Sequence, residues 1–187
     1  MNDHERGMGA AIREVLFSED DIGERVAELA SALCHDYRRK RPLVVGVLNG
    51  SFPFLADLVR AMDMPLEVDF MAVSSYGAHT SSSGVVRILK DLNQAIEGRE
   101  VLLVEDIVDT GLTVKYLIDN LMTRRPGSLE VCTLLDKHEA RREKVDVKYV
   151  GFRCPSEFVV GYGLDYAGLY RNLPYIGVLD PEVYRKP

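Results

Sequence analysis

The sequence predicts an α/β fold built on a mainly parallel sheet flanked by helices. Short, almost wholly apolar, valine-rich runs such as LVVGVL (43–48) and VLLVE (101–105) suit strands buried on both faces. Segments of helical period alternate with these runs, which is the order that yields parallel strands joined by helical crossovers. In such sheets ligands collect beyond the C-terminal ends of the strands, so the loops after Leu48, Glu105 and Leu135 are the places to expect a site.

Ile22, Val26, Leu29, Leu33 and Tyr37 recur at helical spacing. Ser18 precedes them as an N-cap, with Asp21 three residues on where Glu or Gln is the usual partner. Pro42 closes that region. After strand 43–48, NGS (49–51) breaks the run and 52–62 reads as a helix, with Pro53 tolerated in its first turn. Segments 66–75 and 85–91 are strand-like and flank the serine-rich stretch SSYGAHTSSSG (74–84). Strand 101–105 leads through a glycine-containing loop to a helix over about 112–123, and further strands follow at 131–135, 147–152 and 158–162.

The 187 residues suit one compact domain, and 47% apolar with 28% charged residues allow a real core. No run of apolar residues is long enough to cross a membrane. The segment MNDHERGMGA lacks the apolar stretch of a signal peptide. Cys34, Cys132 and Cys154 form no CxxC pair and read as reduced thiols of a cytoplasmic protein. A net charge of −6 argues against a broad nucleic-acid-binding face. It leaves room for a local polyanion site made from helix N-termini, a few basic residues and a divalent cation.

The segment VLLVEDIVDTGLT (101–113) concentrates the chemistry. Glu105 and Asp106 arrive at the end of a buried strand, and Asp109 follows three residues later. Three carboxylates so close repel one another unless a cation or sugar hydroxyls engage them. Thr110 and Thr113 bracket Gly111 where a helix begins, so exposed amides and the positive helix end offer a phosphate site. Acids for hydroxyls and amides for a phosphate together suit a ribose 5-phosphate. The plainer alternative is a helix merely capped by Asp109 or Thr110.

This segment resembles the phosphoribosyl pyrophosphate (PRPP) motif of the type I phosphoribosyltransferases, and more narrowly their hypoxanthine-guanine branch. The resemblance extends from about Val15 to Val178. It implies one domain over 1–187, with a core at about 38–152, a small hood lobe from about 1–37 and 153–187 over the C-terminal strand ends, and a mobile lid at about 74–91 carrying Ser75 and Tyr76. Glu105 and Asp106 would contact the ribose hydroxyls directly or through Mg²⁺. Asp109 would be the general base near purine N7, and Asp109, Thr110, Gly111, Leu112 and Thr113 would hold the 5′-phosphate. Leu48, Asn49 and Gly50 would bind pyrophosphate through the backbone, with a cis peptide at Leu48–Asn49, and Arg171 would assist. Lys137 would donate to the purine 6-oxo group, Phe158 would stack on the base, the backbone at Val159 would read its edge, and Asp165 would hold a second Mg²⁺. Asn49 and Leu112 stand where other members carry lysine.

The activity implied is Mg²⁺-dependent transfer of 5-phosphoribosyl from PRPP to N9 of hypoxanthine, with guanine a further acceptor, in a homodimer or homotetramer that needs neither nucleic acid nor membrane. A xanthine- or guanine-preferring enzyme and a non-catalytic PRPP-sensing regulator are the alternatives. An unrelated nucleotide binder finds no support, because neither GxxxxGK[ST] nor GxGxxG occurs.

Overall fold

The computed structural model describes residues 8–75 and 86–184. In chain order the elements are β1 (Ile12–Phe17), α1 (Glu19–Asp36), β2 (Leu43–Leu48), α2 (Phe52–Ala61), β3 (Glu67–Ser75), β4 (Val86–Lys90), β5 (Glu100–Val108), α3 (Leu112–Met122), β6 (Ser128–Asp136), β7 (Tyr149–Arg153), β8 (Val159–Val160), β9 (Ile176–Leu179) and α4 (Pro181–Tyr184). The main sheet has six strands in the order β4-β3-β2-β5-β6-β7. All its pairings are parallel except that of β4, which returns antiparallel along β3 at the edge. β1, β9 and β8 form a separate antiparallel sheet.

Strand β5 illustrates why the apolar runs form this sheet. Successive side chains point to opposite faces. Leu102 and Val104 join a core with Ile22 and Leu33 of α1 and Phe54 and Leu58 of α2. Val101 and Leu103 join a second core with Leu117 and Leu121 of α3. A strand buried on both faces needs no polar alternation, and LVVGVL and VLLVE have none.

The start of α1 bears out the Ser18 cap. Ser18 Oγ accepts from Asp21 N at 3.1 Å, while Asp21 Oδ2 accepts from Ser18 N at 2.8 Å, a complete capping box with Asp in the Glu position. The helix ends at Asp36, before Pro42, and Arg39 at φ 65° turns the chain toward β2. Arg25 ties the helix to β7 through Val150 O and Gly151 O.

Three strand expectations need correction. β5 runs on through Glu105 and Asp106 to Val108, because the ladder to β6 continues through Ile107 with Leu135 and Val108 with Asp136. The acids therefore lie within the last pairs of the strand. The expected strand 158–162 shrinks to Val159–Val160 and belongs to the small sheet. Gly161 ends it at φ 103°, where an added Cβ would stand 2.0 Å from Tyr175 O. β1 and β9 had no expected counterpart, because IREVLF carries two charges among its apolar residues and IGVL is short.

Ser75, expected in the lid, closes β3. Tyr76 and the rest of the serine-rich stretch lie outside the described residues. Between β3 and the segment after β4, Asp69, buried on β3, accepts from Phe70 N, Asn93 N and Asn93 Nδ2 and pairs with Lys90 at 3.4 Å. The three cysteines are free thiols.

Leu103 is fully buried between β5 and α3. Leu103→Ala is expected to lower stability by about 3 kcal/mol, a fall of about 6–12 °C in melting temperature for a chain of this size. Thermal unfolding followed by circular dichroism checks this.

Candidate active site

The C-terminal ends of β2 and β5, the start of α3 and the loop 161–171 enclose a cavity of about 580 Å³. Leu48, Gly50, Glu105, Asp106, Asp109, Thr110, Gly111, Thr113, Asp165 and Arg171 all line it. Those ten residues, far apart in the chain, were each singled out in the sequence. The peptide between Leu48 and Asn49 is cis, as expected. Asn49, Leu112, Lys137, Phe158 and Val159 were also singled out and do not line this cavity. Ile107, Val47, Val73 and Ser74 line it without having been foreseen. The first three are ordinary core residue types whose sequence positions carry no chemical signal.

The phosphate-type loop is built by the turn from β5 into α3. Gly111 is the helix N-cap at φ 83°, a left-handed conformation that favours glycine. Gly111 has no side chain to cap with, so neither Asp109 nor Thr110 is the N-cap residue. Thr110 Oγ1 accepts from one first-turn amide, Leu112 N, through a long bond of 3.5 Å, a helix start of the kind that can receive an anion. Behind the loop, Arg142 N and Glu143 N both donate to Thr110 O, at 2.9 and 3.1 Å.

The acid pair is packed tightly. An added Cβ on Gly50 would fall 1.6 Å from Asp106 Oδ2, so the Leu48–Gly50 turn rests directly on that carboxylate. Gly163 stands as close on the other side: its Cβ would meet Gly50 O at 2.0 Å. Burial pushes the Asp106 carboxyl up to about 6, opposed by the Ile107 amide and by Arg171. Burial, and then the neighbouring Asp106, hold Glu105 well above the usual carboxylate range. Arg171 Nη2 pairs with Asp165 Oδ1 at 2.7 Å, and its Nη1 donates to Gly163 O at 2.6 Å.

Beside the cavity, Lys137 follows β6 and holds its Nζ 3.5 Å from Asp109 Oδ2. Its backbone amide donates to Val108 O at 3.0 Å, which fixes the lysine against the end of β5. Phe158 is 36% exposed, edge-on to Tyr166 at 5.8 Å and stacked on Tyr184 at 5.0 Å. Val159 is held in the small sheet opposite Val178. Among the described residues, no group of three or more His, Cys, Asp or Glu side chains is placed to hold a metal ion. No described helix is long and apolar enough to cross a membrane.

The phosphoribosyl transferase domain family matches residues 16–167, the stretch that contains the acid pair, the phosphate-type loop and Lys137. The chain belongs to that family. It is 52% identical over 173 residues to the hypoxanthine-guanine phosphoribosyltransferase of Bacillus subtilis, covering 92% of this chain and 96% of that one. The Bifunctional protein TilS/HprT of Listeria monocytogenes is 54% identical over 173 residues, which are 92% of this chain but 27% of that protein. The chain thus spans about a quarter of that relative's length. Among solved structures, a hypoxanthine phosphoribosyltransferase from Staphylococcus aureus superimposes with a TM-score of 0.93 at 48% identity, covering 98% of this chain and all of that one. The type I phosphoribosyltransferase fold expected from the sequence is the fold observed.

The raised Asp106 value has a sign that can be checked. An acid whose folded pKa exceeds its unfolded value of roughly 4 favours the native state while protonated. That stability is lost as pH rises through about 6, and the deficit is constant above. Asp106→Asn is expected to raise the ligand-free melting temperature at pH 7 by about 5–11 °C and to leave it unchanged below about pH 4. Melting curves of both proteins across that range test it.

Proposed function

We propose that the chain transfers the 5-phosphoribosyl group of PRPP to N9 of hypoxanthine, and of guanine, giving IMP or GMP and pyrophosphate in purine salvage. Membership of the family and its hypoxanthine-guanine relatives support this reading. The observation that carries the choice of base is the Lys137–Asp109 pair, 3.5 Å apart at the cavity's edge. On one edge a 6-oxopurine presents N7–H beside O6, a donor next to an acceptor. A carboxylate next to an ammonium is the complement of that edge. Adenine places an amine donor where the ammonium needs an acceptor, and a buried unpaired donor is costly.

The assignment of roles follows the cavity. The first-turn amides of α3 with Thr110 and Thr113 take the 5′-phosphate. Glu105 and Asp106 take the ribose hydroxyls, and the Leu48–Gly50 turn with Arg171 takes the pyrophosphate. Phe158 stacks on the base, Val159 reads its edge through the backbone, and Ser75 and Tyr76 belong to a lid that excludes water. As the bond at C1′ breaks, positive charge develops on the ribose, and the carboxylates around it stabilise that charge. Asp109 accepts or orients the N7 proton.

Mg²⁺ fits these residues. Glu105 is buried and Asp106 half-buried, burial holds both above the usual carboxylate range with Arg171 only partly offsetting Asp106, and Mg²⁺ is commonly held by one or two carboxylates. Glu105 and Asp106 would hold one ion and Asp165 a second. Bound there, the ion would neutralise pyrophosphate as it leaves. A homodimer or homotetramer in the cytoplasm is the setting proposed.

Initial rates with hypoxanthine, guanine, xanthine and adenine, each with PRPP and Mg²⁺, test the reading. Turnover of the first two is expected, and no turnover of any base sinks it. Asp109→Asn is expected to lower kcat by about 10²–10⁴-fold with little change in PRPP affinity; equal loss in both rules out the base role. Lys137→Ala is expected to narrow the preference for 6-oxopurines over adenine. An unchanged preference rules out its donor role.

A further inference from the structure

We propose that Arg141 is a positioning residue for the sugar 5′-phosphate, a guanidinium fixed behind the Thr110–Gly111 loop whose charge acts through that loop on the phosphate dianion. The inference rests on the phosphoribosyl reading of the cavity.

The need for such a group is evident in the cavity's charges. Its walls carry Glu105, Asp106, Asp109 and Asp165 against a single cation, Arg171. Arg171 is tied to Asp165 at 2.7 Å. At the start of α3, where the phosphate would sit, the residues are Leu112, Thr113 and Val114, none of them charged. Backbone amides supply hydrogen bonds and a partial positive charge there, while the two cations nearest the cavity, Arg171 and Lys137, are each already paired with a carboxylate.

Arg141 lies where it can offset this. Its Nη2 donates to Asp136 Oδ1 at 2.6 Å, and Asp136 is the buried last residue of β6, paired with Val108 of β5. The other guanidinium nitrogens, Nε and Nη1, are shielded from solvent and have no hydrogen-bond partner among the described residues. One partly shared carboxylate does not discharge a guanidinium with buried unsatisfied donors, so positive potential remains. Its direction is set by Gly111. A Cβ built there would stand 3.4 Å from Arg141 Nη1, while Gly111 itself lines the cavity and Arg141 does not. The guanidinium thus sits behind the loop's thinnest residue. Arg142 N and Glu143 N, both bonded to Thr110 O, fasten the same segment to the loop. A charge held rigidly in a poorly solvated place is weakly screened and costs no reorganisation when the anion arrives.

The test compares a phosphorylated ligand with its unphosphorylated form. Dissociation constants for IMP and inosine are measured by calorimetry on the wild type, Arg141→Gln and Arg141→Lys, with PRPP and hypoxanthine KM values alongside. Arg141→Gln is expected to weaken IMP and raise the PRPP KM about tenfold, leaving inosine and the hypoxanthine KM unchanged. Arg141→Lys, which keeps the charge, is expected to retain most of the preference for IMP. Equal weakening of IMP and inosine in a folded Gln variant reveals a merely structural role and overturns the proposal, as does unchanged IMP binding. A folded Lys variant that has lost the preference for IMP also overturns it, even if the Gln variant does not fold. A wild type that binds IMP no better than inosine would instead sink the phosphoribosyl reading itself.

Discussion

Glu105 and Asp106 lie side by side near the end of a strand whose apolar residues are buried on both faces, and the rest of the cavity is arranged around that confinement. The strand's burial makes the acids reluctant to ionise. The turn at Gly50 leans on one of them with no room for a side chain, and Gly163 leans on Gly50 in turn. Arg171 and Asp165 hold that third layer. On the reading proposed above, a ligand rich in hydroxyls and phosphates, accompanied by a cation, would convert that crowding into attraction.

The sheet's register explains how distant residues meet. β5 and β6 run parallel with Val108 opposite Asp136. The residue after each strand therefore emerges beside its counterpart, which brings Asp109 and Lys137 within 3.5 Å. A carboxylate and an ammonium are thus paired by backbone geometry. Their loops only have to keep the side chains in place. Lys137 does so through its own amide on Val108 O.

What could be read in advance was local. VLLVEDIVDTGLT holds its strand, turn, glycine and helix start within one stretch, and the structure reproduces that order. The capping box at Ser18 was readable for the same reason. The small sheet was not, because β8 and β9 are short and β1 carries two charges among its apolar residues; their stability comes from one another and from the core, not from periodicity. FVVGY read as a five-residue strand because it is an apolar run; the close approach of Gly161 to Tyr175 ends it after Val160. Arg141 and Tyr184 were equally silent. A guanidinium behind a loop and a ring stacked on Phe158 are facts of packing, and a sequence displays neither.

The pairing of β1 with β9 joins residues 12–17 to residues 176–179. Contacts of such long range form late, since loop closure must precede them. A chain emerging from the ribosome can complete the strands bearing Glu105, Asp109 and Lys137 while β1 still awaits its partner. Phe158 shares that delay, because its carbonyl is bonded by Leu179 N. The part of the cavity built on β5 and the start of α3 can therefore form before the segment around Phe158 is in place. On the roles proposed above, a chain lacking the last strand would keep a sugar-phosphate cradle with no finished seat for a purine.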